Sequence, residues 1–126
     1  MTDADATVFL NGQFLPAGEA RVSVLDRGFL FGDGVYEVIP VYGERLFRLE
    51  PHLERLDHSL AGIRLANPLP HSRWQEILAE LVSRNSGADQ SVYLQVTRGA
   101  ALRDHGFPAD AEPTVFAMSS PLSAPS

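Results

Sequence analysis

Lysine does not occur in this 126-residue sequence, and neither does cysteine. The ten basic residues are all arginine, at positions 21, 27, 45, 48, 55, 64, 73, 84, 98 and 103. A chain without a side-chain amine cannot hold a carbonyl compound as an internal imine. The lack of cysteine excludes disulfides, thiolate nucleophiles and thiolate metal sites, and agrees with a reducing compartment. Positive charge is scarce as well: 16 acidic residues outnumber the 10 basic ones, for a formal net charge of -6. That balance argues against a nucleic-acid or anionic-membrane partner, since phosphate attraction needs net or clustered positive charge. No apolar run approaches the length of a membrane span. Met1 to Thr7 puts no basic region ahead of an apolar run, so no signal peptide is expected, and the expected location is the cytoplasm. No two of His52, His58, His71 and His105 fall at ligand spacing with an obvious carboxylate third, so no metal site is expected. His58 and His71 read as surface residues.

Apolar residues make up 44% of the chain and charged residues 21%, which suits one ordinary globular domain. Asn11-Gly12 between two apolar runs signals a hairpin. Residues 22–25 read as a short strand, followed by a turn through Phe31-Gly32-Asp33-Gly34. Residues 35–42 and 45–48 form a second hairpin about Gly43-Glu44. Leu49, Leu53, Leu56, Leu60 and Ile63 then recur at spacings of three and four, one apolar stripe of an amphipathic helix. A second helix carries Trp74, Ile77, Leu78, Leu81 and Val82 on one face and stops at Asn85-Ser86-Gly87. Residues 91–98 alternate as a half-buried strand, and residues 114–118 form a last one. The expected fold is a small α+β domain, a largely antiparallel sheet covered by two helices. Residues 119–126, rich in serine and proline, have linker composition.

Three groups of residues could carry chemistry. Arg103 and His105 stand two apart on a loop after the 91–98 strand. Together they could grip a carboxylate through the paired guanidinium donors and an imidazole, or be a solvated loop with Arg103 paired to Asp104. Spacing alone favours the loop. Tyr36 shares one face of its strand with Val38, Pro40 and Tyr42, while Val35, Glu37, Ile39 and Val41 share the other. One face is expected to be core and the other to line a cleft, and a strand tyrosine more often packs than reacts. Arg55 lies on a polar helix edge with His52 and Ser59. That edge is either solvated, with Arg55 loosely paired to an acid, or an anion clamp, because arginine binds phosphate through two parallel hydrogen bonds.

The run Ser23-Val24-Leu25-Asp26-Arg27-Gly28-Phe29-Leu30-Phe31-Gly32-Asp33-Gly34-Val35-Tyr36-Glu37 resembles the N-terminal signature of the fold-type IV (class IV) pyridoxal-phosphate aminotransferases. His52-Leu53-Glu54-Arg55-Leu56 is similar to that family's cofactor-phosphate segment. Tyr93 to Gly99, continuing through Arg103-Asp104-His105 and Phe107-Pro108, is similar to the D-amino-acid transaminase branch. The resemblance implies that Tyr36, Arg103 and His105 bind the substrate α-carboxylate, the latter two reaching in from the partner of a homodimer. It also implies that Arg55 binds the phosphate of pyridoxal 5'-phosphate, with Val38 and Tyr93 as lesser lining residues. The implied reaction passes an amino group from an amino acid to a 2-oxo acid. Residues 1–118 would then be the small domain and 119–126 the start of the connection to a larger C-terminal domain of the same enzyme. That larger domain would carry the catalytic lysine, so this chain alone is expected to be inactive. Branched-chain aminotransferases and aminodeoxychorismate lyases share the first two segments, and a stand-alone, non-catalytic binding domain is the reading from a different class. On the two-domain reading the 126-residue chain leaves apolar faces bare and is expected to self-associate. Sedimentation velocity should find species heavier than a monomer; a clean, compact monomer at high concentration would contradict it.

Overall fold

The computed structural model describes residues 4–100 and 112–122. Strands β1 (Thr7–Leu10) and β2 (Gln13–Pro16) join through Asn11 and Gly12, with φ of 47° and 92°, as a two-residue turn between right-twisted strands requires. A single 3-10 turn, Ala17–Glu19, follows. Residues 22–25, expected as a strand, are irregular and exposed, and lead into a five-residue helix, α1 (Arg27–Phe31). Val-Ser-Val-Leu has strand-like alternation but pairs with no strand among the described residues. The next residues are instead fixed by local capping: Asp26 accepts from the backbone N–H of Gly28, and Gly32 closes the helix in the left-handed region at φ 65°.

The second hairpin joins β3 (Gly34–Tyr42) to a short β4 (Arg45–Leu46) through Gly43 and Glu44, at φ 56° and 65°. Two helices, α2 (Leu49–Gly62) and α3 (His71–Ser83), precede β5 (Gln90–Thr97) and β6 (Thr114–Pro121). The strands lie in the order β2-β1-β6-β5-β3-β4, each antiparallel to its neighbours. The fold is α+β, as the hydrophobic periodicity indicated. β6 runs three residues beyond the last strand read from sequence. Ser119 and Ser120 have linker composition, yet they pair with Val92 and Ser91, and the buried Ser119 hydroxyl donates to Gln90 Oε1. Residues beyond Leu122, and the segment holding Arg103 and His105, lie outside the described residues.

One face of the sheet carries the core. Leu53, Leu56 and Leu60 of α2 and Trp74, Ile77, Leu78, Leu81 and Val82 of α3 pack on Phe9, Ile39, Val41, Val92, Leu94, Val96, Val115 and Ala117. Every residue expected in the α3 stripe is buried. Among the described residues no helix is long and apolar enough to cross a membrane.

His71 departs from the plain surface role expected of it. At the start of α3 it bridges two carboxylates of α2: Nε2 meets Asp57 at 2.6 Å and Nδ1 meets Glu50 at 3.1 Å. Asp57 also accepts from Asn67 at 2.7 Å, and Asn67 accepts from the Trp74 indole at 2.9 Å, so the clasp continues into the core. The Asp57 contact, then the Glu50 contact, raise the His71 pKa above 6.5, against a smaller opposing effect of burial. The Asn67 hydrogen bond and the imidazolium hold the Asp57 carboxyl below 3.8. The His71 contribution is therefore full below its unfolded value near 6.5 and is lost as pH rises through the higher folded value; the Asp57 contribution is lost as pH falls through its lowered one. His71→Ala should cost about 1 kcal/mol at pH 6 and less at pH 9. Urea denaturation at the two pH values reads the difference, and an equal loss at both would contradict the clasp.

Candidate active site

The period of two along β3 sends neighbouring side chains to opposite faces of the sheet. Glu37, with Ile39 and Val41, faces the helices and is only 4% exposed. A carboxylate there needs partners, because an unpaired buried charge is too costly to keep. α2 supplies them. Arg55 Nε donates to both carboxylate oxygens, at 3.1 and 2.9 Å, and Nη2 donates to Oε1 at 2.9 Å. His52 Nδ1 lies 2.8 Å from the same Oε1. Burial pushes the Glu37 carboxyl pKa up, but the hydrogen bonds from Arg55 and His52 outweigh it and leave the group below the usual carboxylate range. Glu37 is thus an anion, and His52 Nδ1 donates to it. The Arg55 side chain nevertheless remains 64% exposed.

On the other face Tyr36 is 62% exposed and its ring stacks on Tyr93, centroids 5.6 Å apart and planes 20° from parallel. The register explains the meeting: Tyr36 pairs with Gln95 and Val38 with Tyr93, so the two rings are diagonal neighbours. The Tyr93 hydroxyl donates to Gln95 Oε1 at 2.9 Å. Burial, then the nearby Tyr36, raise the Tyr93 hydroxyl above its ordinary pKa, so it stays a proton donor. Gln95 also borders an open cleft of about 600 Å³, between α1 and the sheet, with Thr97, Phe116, Met118 and Phe29 among its walls.

Both faces depend on how α1 is fastened to the end of β5. Asp26 Oδ1 accepts from Thr97 Oγ1 at 2.7 Å, and Oδ2 accepts from Thr114 Oγ1 at 2.5 Å. Asp33 accepts from Arg98 Nε at 2.7 Å and Arg27 Nε at 3.1 Å. Burial opposes ionisation of Asp33, but the two guanidinium groups, Arg98 first, hold its pKa below 3.8. Gly28 is required by space: a Cβ there would run into the Thr97 side chain.

Of the residues singled out from sequence, Tyr36 and Arg55 fall on opposite faces of β3, joined through the adjacent pair Tyr36-Glu37. Val38 lies exposed beside Tyr36, on the face that also carries Tyr93. Arg103 and His105 lie outside the described residues. Glu37 and the Asp26, Asp33, Arg98 anchor escaped notice as functional candidates. Strand parity held the clue for Glu37, an acid among Val35, Ile39 and Val41.

The description of amino-transferase class IV proteins matches residues 34–126, from the first residue of β3 onward. The chain belongs to that family. Its relatives include the D-alanine aminotransferases of Bacillus licheniformis (42% identical over 118 residues) and Staphylococcus haemolyticus (37% over 119). Each alignment covers 94% of this chain and 42% of the relative, so the chain spans about two fifths of the length of those class IV proteins. Among solved structures, the 4-amino-4-deoxychorismate lyase of Pseudomonas aeruginosa is 35% identical at a TM-score of 0.72, covering 90% of this chain and 39% of that one. The branched-chain amino acid aminotransferase of Escherichia coli shares the fold at a TM-score of 0.82 and 21% identity, covering 95% and 42%.

The Asp26 anchor has a structural duty that can be measured. Asp26→Ala removes the α1 cap and leaves the Thr97 and Thr114 hydroxyls without their acceptor, which should destabilise the fold by about 3 kcal/mol. Chemical denaturation should show a lower midpoint at unchanged slope; a midpoint within error of the parent would dismiss the anchor.

Proposed function

We propose that this chain is the smaller, N-terminal part of an aminotransferase that moves the amino group of a D-amino acid to a 2-oxo acid with pyridoxal 5'-phosphate. What carries the reading is the arrangement about one strand. Among the described residues, β4 pairs only with Val41 and Tyr42, so the side of β3 away from β5 is unpaired over most of its length. A molecule lying along that edge meets Tyr36 on one face and Arg55 on the other. The donor set suits the phosphate end of the cofactor: an exposed guanidinium with N–H groups that no described residue takes up, held in place by a buried carboxylate. It does not suit the aldehyde end, since the chain has no lysine.

When bound, pyridoxal phosphate supplies the electron sink for breaking a bond at the substrate Cα. Arg55 binds its phosphate, and the Tyr36 hydroxyl donates to the substrate α-carboxylate. Arg103 and His105 add further donors to that carboxylate, entering from the partner of a homodimer, while Val38 and Tyr93 line the approach. A larger domain following β6 supplies the lysine. The preference for D-amino acids is supported by the similarity to D-alanine aminotransferases and by the sequence run Arg103-Asp104-His105. The 35% identity to the deoxychorismate lyase favours a second reading within the same family, with a different substrate.

A coupled assay on the full-length protein, comparing D-alanine with L-leucine as amino donor, separates these readings. D-alanine should be the better donor. Replacing both Arg103 and His105 by alanine should lower kcat/KM for D-alanine about a hundredfold, as expected for two lost charge-assisted hydrogen bonds. Preference for L-leucine, or D-alanine turnover untouched by the double change, would overturn the D-amino-acid assignment.

A further inference from the structure

Arg55 projects from the solvent-facing side of α2, where an arginine would ordinarily wander among many rotamers. None of its helical neighbours three or four residues away (Pro51, His52, His58 and Ser59) is an acid that could hold it. What holds it comes from β3, across the packed interface. The Glu37 backbone is locked by pairing with Leu94, and its side chain is buried and bonded to His52, so the carboxylate cannot follow the arginine if it swings away.

A guanidinium carries five N–H donors in a rigid plane. Glu37 takes the Nε–H and one Nη2–H, the edge nearest the stem. The remaining three, two on Nη1 and one on Nη2, have no partner among the described residues. One N–H of Nη1 and one of Nη2 point out from the end of the plane, a second fork whose spacing matches two oxygens of a phosphate, while the other Nη1–H points back toward Cδ. We propose that Glu37 is a positioning residue: it occupies the inner edge of the Arg55 guanidinium so that the outer edge is aimed at the phosphate ester of the cofactor.

This inference rests on the reading of Arg55 as the phosphate ligand and adds how that ligand is aimed. Glu37 also offsets the charge of Arg55, so the outer edge recognises its ligand by directed hydrogen bonds more than by diffuse attraction. His52, bonded to the same carboxylate oxygen, shares that negative charge and lessens its repulsion of a phosphate. A glutamine at position 37 would present one acceptor and turn an amide donor toward another donor, which spoils the clamp.

The test is an equilibrium titration of the full-length apo-protein with pyridoxal 5'-phosphate and with pyridoxal, which lacks the phosphate. The parent, Glu37→Gln, Arg55→Ala and the double variant are compared. Glu37→Gln should weaken pyridoxal phosphate about tenfold, leave pyridoxal unchanged, and have no further effect once Arg55 is alanine. Equal weakening of both ligands, or the same loss in the Arg55→Ala background, would mean that Glu37 only supports the fold and would overturn the proposal. So would unchanged affinity in Glu37→Gln while Arg55→Ala loses it. If Arg55→Ala itself binds pyridoxal phosphate normally, the phosphate reading fails, and that result is read independently of Glu37. A measurement on the parent covers the case in which Glu37→Gln does not fold. The Arg55 Nε–H resonance should stay protected from solvent exchange when inorganic phosphate is added, while the Nη resonances shift. Faster Nε–H exchange on adding phosphate would mean that the anion pulls Arg55 off Glu37, which is incompatible with the clamp.

Discussion

A carboxylate placed on the core side of a sheet must be met by donors, and in this protein that requirement ties the sheet to its covering helix. Glu37 is met by Arg55 and His52 of α2, a full turn of one helix face. The pairing fixes α2 against β3 both in position along the strand and in rotation about its own axis. Leucine burial alone would leave those less determined, because apolar contact is non-directional. The same bonds that lock the helix leave its arginine half in water and facing a chosen way.

The run from Asp26 to Glu37 brings three tasks together, an anchor and the starts of two surfaces. Its first part, Asp26 to Asp33, bolts α1 to the ends of β5 and β6 through the Asp26 bonds to Thr97 and Thr114 and the Asp33–Arg98 pair, while Arg27–Asp33 ties the start of the helix to the residue just past its end. Its second part starts β3, where Tyr36 and Glu37 diverge to the two faces. The aromatic surface built on Tyr36 and Tyr93 and the polar surface built on Arg55 therefore share a single backbone support. Motion of β3 would disturb both, and the eight paired residues between β3 and β5 oppose such motion.

Much of this was legible in the residues. Asn11-Gly12 and Gly43-Glu44 mark hairpins because each can adopt two successive left-handed residues, and the leucine and Trp74 stripes mark helices by their period. α1 was not legible: five residues are too few to show a period, and the preceding Val-Ser-Val alternation pointed to a strand that finds no partner among the described residues. The end of β6 was hidden by serine, which suits a linker in composition yet here fills a buried hydrogen bond with Gln90. His71 and Glu37 share another reason. Their partners lie 14 to 21 residues away, and no local pattern in a single sequence encodes such a pairing. Parity alone hinted at Glu37, by setting one acid among branched apolar residues.

The alternation in β3 also bears on how such a chain can change over generations. Point substitutions can tune either surface separately. Loss or gain of a single codon between Gly34 and Val41 would instead exchange the destinations of Tyr36 and Glu37, turning the phenol inward and the acid out. Length variation should therefore be purged from this strand while the irregular 20–25 stretch absorbs it, so homologues will differ in length around the site far more readily than through it.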